Sequence, residues 1–283
     1  MTVSILAAPF VPNRPTTIGR ALDALFRNEP VFAAAGFAMA ALMAPTLIAA
    51  ALDVRTLLDV NVWIKPLKFE AALAIYLVTL AWFAAWLPPG TTAKPWYRLY
   101  RGIVAASAAA EIAWIGAAAL LGVPSHFNIE SPLWAALYGV MGVLATTLTS
   151  AALVYGILIA RPQGGRGLVP IVRAGLVQGL VLTFVATLVV AGYMSGSGAH
   201  FVGGNASDAE GFPVFGWARD GGDLRVAHFF ATHAMHAVPL VALALSRALG
   251  GADRRLAWVV SAAFAGFVVF TFVQALNGQP FFG

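Results

Sequence analysis

The chain has 283 residues, of which 60% are hydrophobic and only 10% are charged. A soluble domain carries about a quarter charged residues, so this composition excludes an ordinary soluble protein and indicates a multi-pass membrane protein. The net charge of +5 is not gathered in a basic run, which argues against a nucleic-acid partner. The chain has no cysteine, so disulfides and thiolate metal ligands are excluded.

In chain order, the first predicted element is a short amphipathic helix at residues 16–28, which we expect to lie in the membrane interface. Runs of apolar residues about 20 long then predict seven membrane spans. They lie at residues 30–52, 70–87, 100–123, 133–160, 171–195, 225–248 and 256–277. The predicted fold is therefore all-α: a single domain over residues 1–283, with a cytoplasmic or interfacial segment at 1–29 and a seven-helix transmembrane bundle at 30–277.

Lysine and arginine in the short connections predict the orientation of the bundle. Basic residues precede the first span and lie between spans two and three, four and five, and six and seven. These segments share one side, which the positive-inside rule makes the cytoplasm, so the chain is predicted to be N-in and C-out in a bacterial inner membrane. Arg55, Lys65 and Lys68 lie on the outer side against this rule. We interpret the two lysines as groups placed for an anionic ligand or for pairing with an aspartate: Asp53, Asp59, Asp220 or Asp223.

The outer connections are much more polar than the inner ones. Segments 53–70, 124–132 and 196–225 and the C-terminal NGQPFFG are rich in His, Asn, Asp, Lys and Trp. The inner halves of the spans, in contrast, contain almost no ionisable residue. This asymmetry predicts a functional pocket near the outer leaflet, covered by a loop of about thirty residues, which is long for a membrane bundle.

Four stretches, WIKPLKF (63–69), SHFN (125–128), GDLRVAHF (222–229) and FVQALNGQPF (272–281), resemble an uncharacterised family of bacterial multi-pass membrane proteins. The resemblance covers most of the chain and implies a shared membrane fold, with no implication for chemistry. In such sequences the position of His236 is often Gln, which makes His236 a weaker candidate than His233.

The five histidines fall at two predicted depths. His126, His200 and His228 lie at the outer ends of spans, where three imidazoles with one open position are a metal-binding pattern. Haem, copper or zinc are the cofactors that such histidines would hold. The alternative is that each ring binds a loop carbonyl. His233 and His236 lie deeper and share one helix face.

Glu111 is predicted to lie near the middle of the membrane, where an ionisable residue is costly unless it is paired. A pair with His233 or His236 would satisfy both groups and could relay a proton or hold the edge of a haem. A purely structural hydrogen bond between helices is the alternative. We predict Glu111, His233, His236, Lys65 and Lys68 as catalytic candidates.

Other polar residues are candidates to line the pocket. Asp223 and Arg225 are expected to fix the start of the sixth span, with Asp223 favoured near a helix N-terminus. The predicted cofactor-binding residues are Asn128, Asp223, Arg225, Gln274 and Asn277.

These features favour a metal- or haem-dependent membrane enzyme or redox protein, which acts on a small molecule from the extracytoplasmic side. A carrier of protons or a small solute is the first alternative, although no internal repeat is visible. A sensor or scaffold subunit with a membrane partner is the second. Seven-span zinc hydrolases of the progestin and adiponectin receptor type carry an HxxxH pair in the last span, and this last span has no histidine.

Overall fold

A computed structural model describes residues 17–250 and 253–283 of the chain, and in these residues it contains eight α-helices. Helix α1 is short, and helices α2 to α8 are each long and apolar enough to cross a membrane. Their bounds are α1 Thr17–Asn28, α2 Pro30–Leu52, α3 Ile64–Phe83, α4 Pro95–Leu121, α5 Pro132–Ala160, α6 Pro170–Ser197, α7 Leu224–Ala248 and α8 Arg255–Leu276. A 3₁₀ turn continues α3 to Trp86. The predicted all-α fold with seven spans is confirmed.

Six of the seven predicted spans begin within about five residues of a helix start, and α3 is the exception. This helix begins at Ile64, six residues before the expected start at residue 70. Lys65 and Lys68 therefore lie inside the helix, not before it, and Pro66 occupies the first turn, where its missing N–H removes no intrahelical bond. The hydropathy pattern missed this turn because the two lysines lower the mean hydropathy of the stretch that contains it.

Helix starts follow local sequence signals. Helices α2, α4, α5 and α6 each have proline in the first turn. The side chains of Glu29, Ser131 and Asp223 accept a backbone N–H at the starts of α2, α5 and α7. Helices α4 and α6 end at Gly122 and Gly198, whose positive φ angles of 71° and 69° fit a left-handed C-terminal turn.

Small residues allow the closest helix packing, which joins α6 and α7. A Cβ atom added at Gly179 would lie 2.7 Å from the carbonyl oxygen of Ala234, and one at Gly175 would lie 2.7 Å from the Cβ of Ala242. Without a hydrophobic effect between helices in lipid, such close approach supplies much of the association energy. The apolar core beside this contact includes the fully buried Leu180.

The connections at one end of the bundle form what we call the loop-rich face, made of residues 53–63, 122–131, 198–223 and 277–283. It contains two small antiparallel hairpins: β1 Thr56–Leu57 with β2 Val60–Asn61, and β3 Phe201–Val202 with β4 Gly222–Asp223. The C-terminal tail folds back onto the long loop, where the Phe282 ring stacks on Phe212 at 4.6 Å. The loop-rich face is the one predicted to be extracytoplasmic.

The opposite face carries a buried polar network that the sequence did not indicate. Glu29 is fully buried, and its carboxylate pairs with the Arg101 guanidinium at 3.0 Å. Beside it, the hydroxyls of the buried Tyr97 and Tyr155 are 2.6 Å apart. This ion pair lies at the ends of the spans, since Glu29 directly precedes α2 and Arg101 lies in the second turn of α4.

Candidate functional site

The start of α7 is fixed by a dense set of bonds around Asp223 and Arg225. The Asp223 carboxylate, only 1% exposed, accepts the backbone N–H groups of Arg225 and Ala218 and pairs with the Arg225 guanidinium at 2.6 Å. Arg225 also lies 2.7 Å from the Asp208 carboxylate and donates to the carbonyl of Gly216. The sequence predicted the first pair; Asp208, seventeen residues away in the long loop, was missed because no local pattern indicates it.

Lys68 holds the same loop from the side of α3. Its ammonium group donates to the carbonyl of Phe215 at 2.8 Å, next to the Gly216 carbonyl that Arg225 binds. None of the four predicted aspartates forms an ion pair with Lys65 or Lys68 in the part of the chain that the structure describes. The role of Lys68 is thus to fasten the loop over the bundle.

Lys65 differs from Lys68 because its ammonium group has no hydrogen bond or ion pair with any described residue. It lies within electrostatic reach of Glu111, Arg225 and Asp208. A cavity of about 20 Å³ lies beside it, with Ile115 and Ser125 among its walls. This volume holds one water molecule. Lys65 therefore lines a small, largely apolar space between α3, α4 and the loops, with its three donors uncommitted.

The three outer histidines come from two loops and α7, and two of them, His126 and His200, lie within electrostatic reach of Lys65. His126 is close enough to Lys65, His200 and His228 for their charges to interact, and its Nδ1 lies 3.1 Å from the Ser125 hydroxyl. The Nε2 of His200 and the Nδ1 of His228 are buried without a partner among the described residues. The residues predicted at the rim are therefore brought together.

The electrostatics of the loops keep these rings neutral. Burial is the largest cause that holds the pKa of His126 well below its usual range. Repulsion from Lys65, His228 and His200 lowers the pKa further. Burial, followed by the Arg225 guanidinium, lowers the pKa of His200 to about 4. Both loop histidines are therefore uncharged at neutral pH, and each offers one N–H donor and one acceptor nitrogen.

The predicted metal site of His126, His200 and His228 is not formed. Within residues 17–250 and 253–283, no group of three or more His, Asp or Glu side chains is arranged to hold a metal ion. One His126 nitrogen is instead directed to Ser125. The three rings share a neighbourhood without converging on one point, so the geometry gives the zinc or copper prediction no support.

Glu111 is 3% exposed, and its carboxylate has no hydrogen bond or ion pair with any described residue. The predicted pair with His233 or His236 is not formed, because both rings bond elsewhere. The charge that acts on Glu111 is that of Lys65. Glu111 thus lies within electrostatic reach of Lys65, without an ion pair between them.

His233 and His236 form a separate chain at greater depth on α7. Their Nδ1 atoms are 3.2 Å apart, and the Nε2 of His236 lies 3.1 Å from the Thr79 hydroxyl on α3. One ring must donate to the other in this arrangement, since two lone pairs would repel. The shared face predicted for these histidines agrees with the contact, while Thr79 was missed because a threonine in an apolar span carries no distinctive signal.

The remaining predicted residues lie at the loop-rich face but bind scaffold groups. Asn128 donates to the carbonyl of Pro124, and its side-chain oxygen is buried without a described partner. Gln274 donates to the carbonyl of Pro280 and so ties down the C-terminal tail. Asn277 is an exposed residue at the end of α8. Asn128 and Gln274 thus each add a buried side-chain oxygen without a described partner, whereas Asn277 adds none.

Comparison with protein families, with curated proteins and with solved structures finds no match for this chain. The resemblance of its four outer stretches to a bacterial membrane family therefore remains a prediction. Fold and site together define the class of the molecule: it is a multi-pass integral membrane protein with a buried polar site beneath one face of a seven-helix bundle.

Proposed function

We propose that this protein is a membrane-embedded enzyme that performs acid–base chemistry on a polar group bound between Lys65, Glu111 and the outer histidines. The observation that carries the proposal is the isolation of Glu111. Four carboxylates are buried, namely Glu29, Glu70, Glu111 and Asp223. Three of these accept hydrogen bonds from the protein, and Glu111 has no partner in the described residues.

An unpaired buried carboxylate is costly in a bilayer, so its retention favours a role in binding or chemistry. In the proposed site, Glu111 exchanges a proton with the substrate, and Lys65 neutralises negative charge that develops on it. The neutral rings of His126 and His200 orient the polar group through their uncommitted nitrogens. The extracytoplasmic position of this site, in a bacterial inner membrane, belongs to the same proposal.

Dependence on a zinc or copper ion is not part of the favoured mechanism, because the described outer histidines do not converge on one point. Haem binding can be tested by itself, because a protein that holds haem shows a Soret band after purification from cells supplied with iron. We expect none that depends on His126, His200 or His228.

The test of the enzyme compares the compounds in cells that express different variants. Untargeted mass spectrometry of whole-cell extracts should find a compound that the wild-type protein changes and Glu111→Gln leaves unchanged. Glu130→Gln, an exposed carboxylate at the same face, is the matched control and should act as the wild type. A full set of compounds that is the same for the wild type and Glu111→Gln would refute the proposal.

A proton carrier is the second candidate, and the His233–His236–Thr79 chain is the observation that favours it. The chain extends the polar zone towards the buried network at the opposite face. Leu80 and Ala81, both fully buried, follow Thr79 in the apolar core of α3, which weighs against a continuous path. Proteoliposomes with an internal pH dye test this candidate, since a carrier dissipates an imposed pH gradient and His236→Phe abolishes the flux.

A further inference from the structure

Helices α3 and α7 are linked at two levels, and we call the interval between these levels the α3–α7 window. Its upper edge is the loop segment Phe215–Gly216, which Lys68 binds from α3 and Arg225 binds from α7. Its lower edge is the hydrogen bond between Thr79 and His236. On both helices the two edges are eleven residues apart, which corresponds to a height of about 16 Å.

The lower edge of the window faces the lipid. Thr79 lies between Ile75 and Trp82 on one stripe of α3, and these neighbours are 51% and 54% exposed. His236 is half-buried, and one turn further along α7 Leu240 is 59% exposed. Polar side chains in spans normally face the bundle interior, so a histidine and a threonine at a lipid-facing edge require an explanation.

An unpaired cation lies directly above the upper edge of the window. Lys65 lies one turn above Lys68 on the same stripe of α3, where position i and i+3 are neighbours. The acids close to it are committed, since Asp208 and Asp223 both pair with Arg225. Glu111 does not reach within ion-pair distance of Lys65. An acidic oxygen supplied by a ligand would satisfy the ammonium group.

We propose that the α3–α7 window admits a membrane lipid with an anionic head group, whose head binds Lys65 while its chain lies against the exposed stripe of α3. This inference rests on the proposed function, because Lys65 belongs to the same site, and it names the class of substrate. The charge selects an anionic head group, and the lipid-facing edge selects a molecule that enters from the bilayer. The loop held by Lys68 and Arg225 closes the route from the aqueous side.

The test measures which phospholipid the full-length protein retains. Protein stripped of lipid in detergent is offered equal amounts of phosphatidylglycerol and phosphatidylcholine, and the bound molecules are read by native mass spectrometry. We expect the wild type to retain phosphatidylglycerol at least tenfold over phosphatidylcholine. Lys65→Met should abolish this preference, and Lys65→Arg, which keeps the charge, should retain it. Lys94→Met, an exposed lysine at the opposite face, is the matched control.

A second pair of variants tests the route through the window. Ala72→Trp places a bulky ring on the exposed stripe of α3 and should lower retention of both lipids, whereas Ala40→Trp, on the exposed side of α2, should not. Equal retention of the two lipids by the wild type would overturn the inference. An equal loss of the preference for phosphatidylglycerol in Lys65→Met and Lys94→Met would also overturn it, because the preference would then come from the surface charge of the protein.

The failure of this inference is distinguishable from the failure of the proposed function. The whole-cell comparison with Glu111→Gln covers both the aqueous and the organic phase of the extract. A water-soluble compound that depends on Glu111, together with no lipid preference, would leave the enzyme standing and remove the lipid. A lipid preference that depends on Lys65, without any compound that depends on Glu111, would leave a lipid-binding protein and remove the enzyme.

Discussion

Acidification should destabilise the loop-rich face through His200, and the size of the effect follows from its surroundings. In the unfolded chain a histidine has a pKa near 6.5, whereas in the folded protein burial and Arg225 lower that of His200 to about 4. At pH 7 the ring is neutral in both states, so it contributes almost nothing. As the pH falls below about 6.5, the unfolded ring takes up a proton that the folded ring refuses, and stability falls until the pH reaches about 4. At pH 5 the loss is about 2 kcal/mol.

The assay is unfolding of the purified protein by SDS in mixed micelles, followed by tryptophan fluorescence at pH 7 and pH 5. His126, whose pKa is also lowered, adds to the loss in the wild type. The contribution of His200 is therefore the difference between the wild type and His200→Gln, which should be about 2 kcal/mol less sensitive to this pH change. Asn205→Ala, in the same loop, should keep the sensitivity of the wild type. If His200→Gln retained it as well, the assignment of a buried neutral ring would be refuted.

Three further substitutions test the scaffold by the same unfolding assay at pH 7. Glu29→Gln removes one partner of a fully buried ion pair and should cost about 3–5 kcal/mol; a cost below 1 kcal/mol (roughly that of an exposed pair) would contradict the burial. Gly179→Ala forces a Cβ against the carbonyl of Ala234 and should cost about 1–3 kcal/mol. Gly192→Ala on the same helix meets no atom within 4 Å and should be neutral or stabilising, so equal costs would refute the close packing. Asp223→Asn should cost about 2 kcal/mol or more, since it keeps a capping oxygen but removes the buried charge that pairs with Arg225. The exposed Asp253→Asn should change stability by about 0.5 kcal/mol at most, and an equal loss at both positions would show that burial is irrelevant.

The number and order of the spans were predictable because hydropathy is a local property of about 20 residues. The ends were less predictable where charged residues enter a helix, as Lys65 and Lys68 do in the first turns of α3. The hydropathy window reads such a turn as a loop, although Pro66 signals the start of a helix. Amphipathic first turns at the membrane surface are therefore the part of this fold that hydropathy alone misses.

The location of the site was also predictable, but its connections were not. Polar residues concentrated in alternate connections must meet at one end of an up-and-down bundle, which brings His126 and His200 together. Which atoms bond depends on helix rotation and on the path of the long loop. Thus Glu111 was expected to pair with a histidine of α7, and it instead lies unpaired in the region of Lys65. The ion pair of Asp208 with Arg225 depends on the same tertiary information.

The local sequence pattern Asp-x-Arg occurs three times with the same hydrogen bond but with different burial of the aspartate. In Asp53-Val-Arg55, Asp223-Leu-Arg225 and Asp253-Arg-Arg255, the aspartate accepts the backbone N–H of the arginine two residues later. The aspartate side chains are 20%, 1% and 61% exposed, respectively. At the loop after α2, the hydrogen bonds from Arg55 and Trp63 hold the pKa of Asp53 well below its usual range.

The most buried of the three patterns, Asp223-Leu-Arg225, is also the one within electrostatic reach of the unpaired Lys65. Because Asp223 and Asp208 neutralise Arg225, this arginine cannot serve as the counter-ion of Glu111, and neither acid is free for Lys65. Among the described residues, Lys65 and Glu111 are thus left without a hydrogen bond or ion pair, although each lies within electrostatic reach of the other. Unpaired opposite charges are costly in a bilayer, so their separation favours a third molecule that binds between them.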